Sequence, residues 1–362
     1  MGIVAGCLTP DLARIAGELA ADEDSRRLER ILTVVGMRPP SRAVLEKRVG
    51  TVAGDFAERV EELEEVSRTA EELPDDIASV SCGLDRFAVR MVEPASAQTL
   101  ATRPRRRRRT PYRRAAPPPQ EHRWRMAWVG SVTTYDSAGK ELQTRKYAVD
   151  AGADSGALAK RLAADVARVT AARPDAPVHV VQDGASELRV LPKTLARELP
   201  ASTTVRTLID FEHLARYLDA VVDACEPEGD PHNMKSWYRG ELLRDDGAID
   251  RIWRGLRDRA KGLPGRDTQA RKAVAAAMSY IRHRKPMMRY ASHHANKLAI
   301  GSGATESTAW SMQQRVKRRA QSWSAPGLRG ILVVRALVKS QRWHSGWQAY
   351  AASHRANVRP VL

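Results

Sequence analysis

The sequence predicts an α/β fold: a five-stranded sheet with flanking helices, an all-helical insertion before the last core helix, and an N-terminal helical domain. Three consecutive stretches show the period-two alternation of apolar residues that is typical of strands in a meander. Helical and strand patterns then alternate, and an Arg-rich helical region separates them from one more helix. The predicted parts are the N-terminal helical domain at 1–75, the first part of the core at 76–218, the insertion at 219–299, and the closing helix with a C-terminal helix at 300–345.

The N-terminal part is predicted to be helical. Apolar residues recur at helical spacing from Pro10, Gly36 and the prolines after it break the pattern, and Ser41 is placed to cap a basic helix. This order fits either a helix-turn-helix unit that binds DNA or a small bundle used for packing or dimerisation. Residues 1–75 contain 10 basic and 16 acidic side chains, which weakens the DNA interpretation. We expect residues 58–72 to form a solvated acidic helix.

The first predicted strand, at 77–91, contains an aspartate near its middle. Val80, Cys82 and Leu84 alternate with small or polar residues before Asp85, and further apolar residues follow at every second position. Aspartate has a low β propensity, so its place in a strand needs a reason. Asp85 either serves a functional site or lies on an edge strand, where it faces solvent or pairs with a neighbouring arginine.

A basic, proline-rich segment separates the first two strands. Residues 103–125 contain ten arginines and one glutamate, and three prolines stand together at 117–119. Such a composition cannot bury a core, so a disordered basic loop is predicted at 93–122. We expect this loop to bind phosphates without reading base sequence. The residues of its central run are Arg105, Arg106, Arg107, Arg108 and Arg109.

Two later apolar runs each end in an aspartate. The first run, from Val178, ends in Asp183-Gly184, and the second, from Thr204, ends in Asp210. Ligands of open α/β sheets bind at the carboxyl ends of the strands, so Asp183 is placed where a ligand would lie. The remaining predicted strands are 124–135 and 141–148, joined by a turn that contains Asp136, and the predicted core helices are 155–173, 186–199 and 211–224.

Charge and composition restrict the partners. Lys and Arg number 60 against 43 Asp and Glu, a formal net charge of +17, which points to a polyanion and first to nucleic acid. No apolar run reaches the roughly 18–20 residues that span a membrane, so no membrane partner is expected. The three cysteines are isolated, which argues against a cysteine zinc site and a disulfide framework. We therefore expect a cytoplasmic protein.

One acidic residue stands at the start of a basic helical stretch near the C-terminus. Gly301-Ser-Gly303 leads into a helix pattern, with Glu306 in the first turn. Trp310, Gln313 and Lys317 follow Glu306 on the same face of that helix. Glu306 is either a metal ligand beside a phosphate track or a charge that stabilises the helix N-terminus. The arginines predicted to hold phosphates here are Arg315, Arg318 and Arg319. Gln313 and Lys317, on the face of Glu306, are the predicted first contacts for a nucleic-acid strand at this site.

The order of these acids along the chain resembles the ribonuclease-H-like core of DDE transposases, and the family it resembles most is the ISKra4 insertion-sequence transposases. The resemblance extends over nearly the whole chain. The segments that carry it are Ser81-Cys-Gly-Leu-Asp85-Arg, Val181-Gln-Asp183-Gly, Asp210-Phe-Glu-His213 and Ile300-Gly-Ser-Gly-Ala-Thr-Glu306-Ser, with Trp323 beyond the last. It implies a ribonuclease-H-like mixed five-stranded sheet and a catalytic triad of Asp85, Asp183 and Glu306.

The resemblance also implies a metal site and its chemistry. Asp85 would bridge two Mg²⁺ ions, with Mn²⁺ as a substitute, while Asp183 binds one ion and Glu306 the other. Asp210 and His213 would have an accessory role, ordering the site or a nearby strand. The alternative is a buried histidine bonded to the neighbouring aspartate. Asp136 and Asp150 compete with Asp85 for the place of the first acid, but a turn and a strand end suit metal binding less well.

The expected function is DNA transposition by metal-dependent strand cleavage and strand transfer at insertion-sequence ends, in a bacterial cytoplasm on nucleoid DNA. The expected partners are double-stranded DNA, both element ends and target, and further copies of the chain in a homodimer or higher oligomer. Longer members of the family carry a cysteine-rich zinc-binding stretch that this sequence lacks, which predicts a short copy. The alternatives are a non-catalytic, domesticated or decaying transposase that regulates its locus, and a nuclease of the same fold. Trp128, Trp237 and Trp310 are predicted to be core residues rather than base-stacking ones.

Overall fold

The computed structural model describes residues 8–102, 119–225, 231–263, 265 and 268–356. Its central element is one sheet of five strands, in the order β3-β2-β1-β4-β5. β1 and β2 are antiparallel, as are β2 and β3, whereas β4 runs parallel to both β1 and β5. The predicted α/β fold with a mixed five-stranded sheet and flanking helices is thus confirmed. The strands are β1 (Ser79–Pro94), β2 (Gln120–Tyr135), β3 (Glu141–Val149), β4 (Val178–Gln182) and β5 (Val205–Ile209).

Fifteen α-helices are described around this sheet. The N-terminal part holds α1 (Pro10–Asp22), α2 (Ser25–Val34), α3 (Arg42–Glu58) and α4 (Val60–Ala70). The core holds α5 (Ala97–Thr102), α6 (Ser155–Ala172), α7 (Val190–Glu198) and α8 (Phe211–Cys225). The insertion holds α9 (Pro231–Arg244), α10 (Ala248–Gly262), α11 (Gln269–Arg282) and α12 (Tyr290–Ala295). The chain continues with α13 (Gly303–Val316), α14 (Ala325–Lys339) and α15 (Trp343–Ala356). None of the helices in the described ranges is both long and apolar enough to span a bilayer.

The two faces of the sheet are covered by different helices, and β1 contributes to both. Val80, Cys82 and Leu84 pack with α6 and α7 in one apolar cluster, whereas Phe87 and Val89 pack with α13 and α14 in another. Successive side chains of a strand point to opposite faces, so the odd-numbered residues of β1 share the face that α13 covers. The residues of β1 that join an apolar cluster are even-numbered before Asp85 and odd-numbered after it. Asp85 belongs to neither cluster, so the strand tolerates a charge at this position.

The hairpin of β1 and β2 is longer than the sequence predicts. The two strands stay paired up to Pro94 and Gln120, and α5 follows β1 directly. The predicted disordered loop at 93–122 is therefore wrong at both ends, because cross-strand hydrogen bonds order its flanks. The arginine run Arg105–Arg109 lies outside the described residues.

A buried ion-pair network joins the N-terminal helices to the core. Arg342 is 2% exposed, and its guanidinium donates to Asp165 on α6 at 2.7 and 2.9 Å and to Glu71 after α4 at 2.9 Å. Asp165 also accepts from Arg68 on α4 at 2.9 Å. Beside this network, Glu64 pairs with Arg161 of α6. The expectation of a solvated helix over 58–72 is wrong, because α4 buries charges that are paired in this way.

The N-terminal helices share a hydrophobic core with the last two helices. Phe56 of α3 stacks on Trp343 and Trp347 of α15 at ring-centroid distances of 4.9 and 6.0 Å. α3 also lies so close to α14 that a Cβ at Gly330 would come within 2.9 Å of Ala53. α3 therefore has a packing role, while its basic residue Arg42 stays exposed. α15 extends to Ala356, beyond the C-terminal boundary that the sequence predicts.

Replacing Arg342 with Met tests the ion-pair network. We expect the free energy of unfolding to fall by about 3–5 kcal/mol, because the substitution leaves the carboxylates of Asp165 and Glu71 buried with one cation fewer. Urea denaturation followed by circular dichroism measures the change. The matched control is Arg14→Met, which removes a surface pair with Glu18 at 3.5 Å and should cost less than about 1 kcal/mol. Equal effects of the two substitutions would contradict the network's role.

The insertion packs against β5 and α8. Its last helix, α12, places His293 next to His179 of β4. His179 of β4 is completely buried, neither of its ring nitrogens has a hydrogen-bond partner, and its ring lies edge-on to that of His293 at 5.2 Å. Burial, followed by the charges of His293 and Arg206, lowers the pKa of His179 from 6.5 to about 4. His179 therefore stays neutral in the folded protein at neutral pH.

Acid should destabilise the fold through this histidine. Since the unfolded chain takes up the proton near pH 6.5 and the folded chain only near pH 4, this contribution to stability is complete above pH 6.5 and is lost as the pH falls towards 4. The loss amounts to about 3 kcal/mol at most. His179→Leu, which keeps an apolar side chain in the site, should flatten the dependence of unfolding free energy on pH over that window. The control His283→Leu changes an exposed histidine and should leave the slope as it is.

Candidate active site

Three of the predicted acids line one cavity of about 230 Å³. Asp85 comes from the middle of β1, Asp183 follows the last residue of β4, and Glu306 lies in the first turn of α13. They are 98 or more residues apart in sequence, and the sheet order brings them together because β1 and β4 are neighbours while α13 packs across β1. The other residues that line the cavity are Leu84, Gln182, His213, Arg216, Ser302 and Thr305.

Asp85 lies partly buried beside the other two acids. Its pKa is raised, first because the side chain is partly buried and further because the like charges of Asp183 and Glu306 lie near it. The backbone N–H of Arg86 donates to Asp85 Oδ1 at 2.6 Å and opposes that change without cancelling it. Three side chains of like charge thus face one cavity. Such a cluster is stabilised by any positive charge that enters the cavity.

Asp183 is held by a turn that residues of the insertion fix in place. Its Oδ1 accepts from the backbone N–H of Ala185 at 2.8 Å, and Gly184 has a φ of 83°, which favours glycine. The hydroxyl of Tyr280 donates to the carbonyl of Asp183 at 2.7 Å, and Arg284 donates to the carbonyl of Gly184 at 2.9 Å. Sequence reasoning missed both positioning residues. Their only local signal is a Tyr and an Arg four residues apart at the end of a helix.

Asp210 joins the start of α8 to the start of α13. Its Oδ1 accepts from the backbone N–H of His213 at 2.6 Å, and its Oδ2 accepts from the backbone N–H of Ser302 at 2.5 Å. The hydroxyl of Ser302 lies 2.8 Å from the same carboxylate and 3.1 Å from Glu306 Oε1. Asp210 thus caps one helix and fixes the turn that leads to Glu306. This geometry agrees with the predicted ordering role.

His213 differs from one of its two sequence interpretations, the buried histidine bonded to the neighbouring aspartate. The hydrogen bond from Asp210 goes to the backbone of His213 and not to its imidazole, so the predicted bonded His–Asp side-chain pair is not formed. The ring instead lies near Tyr217 and Tyr280, at centroid distances of 5.9 and 5.6 Å, and borders the cavity.

α13 reaches β1 because glycine leaves room for it. A Cβ at Gly83 would collide with Thr305 Oγ1 and would lie 2.9 Å from the carbonyl oxygen of Val181. Thr305 Oγ1 in turn lies 2.7 Å from the hydroxyl of Ser131 on β2. This small-residue contact sets the distance between Glu306 and Asp85, since the two acids lie on the two elements that meet there.

The rival acids lie elsewhere. Asp136 accepts from the backbone N–H groups of Ala138 and Lys140 in the turn between β2 and β3. Asp150 is 2% exposed and pairs with Arg329 at 3.3 Å. Neither residue borders the cavity, so Asp85 is the acid of this part of the chain that meets Asp183 and Glu306.

The predicted phosphate contacts on and after α13 divide into two groups. Lys317 and Arg319 are exposed, and Gln313 is partly exposed and accepts from Lys317 Nζ at 2.9 Å. Arg315 is 6% exposed and donates to the carbonyl of Ala20, so its prediction as a DNA contact is wrong. Arg318 is occupied by the acidic end of α1, where it pairs with Glu23 and Asp24 at 3.5 and 3.6 Å and donates to the carbonyl of Asp22.

Two of the three tryptophans are more exposed than predicted, whereas Trp128 packs against an apolar cluster of the core as predicted. Trp310 is 64% and Trp237 is 51% exposed, so the prediction that they are core residues is wrong. Trp128 is half-buried under the guanidinium of Arg86, which lies 5.3 Å from the ring centroid. Trp310 stands one turn beyond Glu306 on the same helix, which places an aromatic surface next to the cavity.

The donor atoms at the cavity suit a hard divalent cation. Three carboxylates supply oxygen ligands, and the buried Oε1 of Gln182, next to Asp183, has no hydrogen-bond partner. Asp85 and Asp183, however, each accept from a backbone N–H, and Glu306 lies near the Ser302 hydroxyl, which it shares with Asp210. No three His, Cys, Asp or Glu side chains of the described residues converge as a ligand set. The residues thus fit such an ion in type and number, and binding requires their side chains to move together.

Comparisons with protein-family models, with curated proteins and with solved structures found no match for this chain.

Substituting Gly83 with Ala tests the contact that positions α13. We expect the added methyl group to push Thr305 and α13 away from β1, lowering the free energy of unfolding by about 1–3 kcal/mol. Thermal or urea denaturation measures the loss. The control is Gly240→Ala in α9, where a Cβ meets nothing within 4 Å and where alanine should be neutral or slightly stabilising. A Gly83→Ala protein as stable as the wild type would contradict the close contact.

Proposed function

We propose that this chain is a DNA transposase that cleaves DNA strands and joins them to a target in a metal-dependent reaction. The observation that carries the proposal is the meeting of Asp85, Asp183 and Glu306 in one cavity, from a central strand, the carboxyl end of its parallel neighbour and a helix across the sheet. Three acids in one cavity of a strongly basic protein favour a reaction that acts on a polyanion and is assisted by a divalent cation.

The architecture supports the same assignment. Three antiparallel strands followed by two parallel ones, with a helix after each of the last three strands, agree with a ribonuclease-H-like core. The insertion α9–α12 stands between the last strand and the helix of the third acid, as expected for the DDE transposases that the sequence resembles. The ISKra4 family remains the proposed membership, based on the motifs around the three acids.

The proposed chemistry assigns a role to each residue of the cavity. Mg²⁺ or Mn²⁺, when bound, would supply activation of the attacking hydroxyl or water and stabilisation of the leaving 3′-oxygen. Asp85, Asp183 and Glu306 would hold the cation. Asp210 keeps the start of α13 in place through Ser302, and Tyr280 holds the turn of Asp183. The part of the site contributed by the insertion therefore positions an acid.

The DNA would lie along the exposed face of α13. Lys317 and Arg319 offer positive charge on and after this helix, and Trp310 offers an aromatic ring between that charge and Glu306. We further propose that the arginines at 105–109 hold the DNA backbone and that the protein acts on nucleoid DNA in the bacterial cytoplasm. Transposition handles two element ends, so we propose a homodimer or a higher oligomer as the active form.

The test is a cleavage and joining assay on DNA. Labelled fragments that contain both flanks of the gene are incubated with the protein and Mg²⁺ or Mn²⁺, together with a supercoiled target plasmid. We expect nicking at a 3′ end and joining to the plasmid. Asp183→Asn and Glu306→Gln should each lower both activities by about 100-fold or more, since each removes a charged ligand. The control Glu198→Gln changes an exposed acid of α7 and should leave them intact.

The assay also separates the rival functions. Salt-dependent DNA binding without any metal-dependent nicking would identify a non-catalytic regulator and refute the proposal. Cleavage that never joins a 3′ end to the target would identify a nuclease. Activity that survives both Asp183→Asn and Glu306→Gln would place the chemistry outside this cavity.

A further inference from the structure

The cavity of the three acids contains one arginine that the proposed chemistry leaves without a role. Arg216 lies near the middle of α8, three residues after His213, so the two side chains lie on the same face of that helix. Both border the cavity together with Asp85, Asp183 and Glu306. The sequence pattern does not single out Arg216, because arginine is common throughout the chain.

Arg216 is not used to neutralise the acids around it. Its side chain is exposed, and it forms no ion pair within 4.0 Å and no hydrogen bond with any residue that the structure describes. The other arginines that support the site are engaged: Arg284 donates to the carbonyl of Gly184, and Arg86 pairs with Glu187. All the guanidinium donors of Arg216 therefore remain available to a ligand in the cavity.

The chemistry of the cavity defines that ligand. A guanidinium with free donors matches a phosphate group, whose two non-bridging oxygens accept paired hydrogen bonds. The three carboxylates repel an anion, so a phosphodiester approaches them only if positive charge compensates, and Arg216 supplies it from the protein itself. Its position on α8 places this charge on the wall formed by the helix, apart from the strand acids.

We propose that Arg216 is a phosphate-binding residue of the active site, which contacts a phosphodiester of the DNA strand that lies against Asp85, Asp183 and Glu306. This inference rests on the proposed function for the identity of the strand. It makes α8 the second wall of the DNA path, with the exposed face of α13 as the first.

Salt-dependent binding of a labelled 20-base-pair duplex tests the contact without requiring cleavage. Each phosphate contact contributes about 0.9 to the slope of log affinity against log salt concentration. We expect Arg216→Ala to lower the magnitude of that slope by about one, and to raise Kd roughly tenfold at 50 mM salt. Arg216→Lys should retain the slope because it keeps the charge. The control Arg197→Ala removes the same charge from α7, where the side chain pairs with Glu198, and should leave the slope unchanged.

The cleavage assay gives the second readout. Arg216→Ala should raise KM for DNA more than it lowers kcat, whereas Glu306→Gln should abolish turnover and leave binding in place. An unchanged slope in Arg216→Ala, or an equal fall in Arg197→Ala, would overturn the inference even if the wild type nicks DNA. If the wild type never nicks DNA but Arg216→Ala changes the slope as expected, the proposed function is refuted while the phosphate contact of Arg216 is supported.

Discussion

The close contact between α13 and β1 is the constraint on which the candidate site depends. Glu306 and Asp85 lie on these two elements, so the gap between them is set by what separates helix from strand. At the point of contact Gly83 of β1 faces Thr305 of α13. A larger residue in place of Gly83 would collide with the threonine hydroxyl and with the carbonyl of Val181. Interiors are packed too densely to absorb an extra methyl group without a shift. The candidate site thus depends on the lack of a side chain at Gly83.

A second constraint fixes the start of α13, through the carboxylate of Asp210. Asp210 holds the N–H of Ser302 and the N–H of His213, so the same carboxylate ends the loop before α13 and begins α8. The backbone N–H of Phe211 donates to the carbonyl of Ile300 at 3.0 Å and strengthens this junction. Because Ser302 also contacts Glu306, the position of the third acid is coupled to the carboxyl end of β5. The insertion can therefore be long without moving Glu306 away from the sheet.

How much of this could be predicted from sequence depends on the range of the interactions. Period-two alternation predicts β1, and short apolar runs predict β4 and β5. In β1 the alternation changes parity around Asp85, so this residue belongs to neither apolar cluster. Helix patterns indicate which residues share a face but not what covers that face. This is why the helix pattern predicts a buried Trp310 and an exposed Arg315, whereas the structure has the reverse. The pattern of α4 predicts a solvated helix for the same reason, since the partners of its buried charges lie on α6, 97 residues away.

The residues that hold the Asp183 turn show the limit most clearly. Tyr280 on α11 and Arg284 in the turn after that helix contact it from about 100 residues further along the chain. Nothing local distinguishes them from other residues of an Arg-rich insertion. Because both contacts are to backbone carbonyls, the sequence contains no complementary side chain that would indicate them. Motif reasoning finds groups whose chemistry is unusual for their element, such as an aspartate in a strand. It misses groups whose chemistry is ordinary and whose importance comes from position alone.

The electrostatics of the cavity connect these points to function. A raised pKa at Asp85 reports that burial and two neighbouring carboxylates already oppose its charge. Each acid relieves part of that repulsion by turning to a separate donor, Asp85 to the N–H of Arg86 and Asp183 to the N–H of Ala185. These hydrogen bonds are weak compared with what a divalent cation offers to the same oxygens, and the unpartnered Oε1 of Gln182 would gain a partner as well. The proposed metal site therefore has a physical basis in oxygen ligands that lie close together, one of which, Gln182 Oε1, has no partner among the described residues.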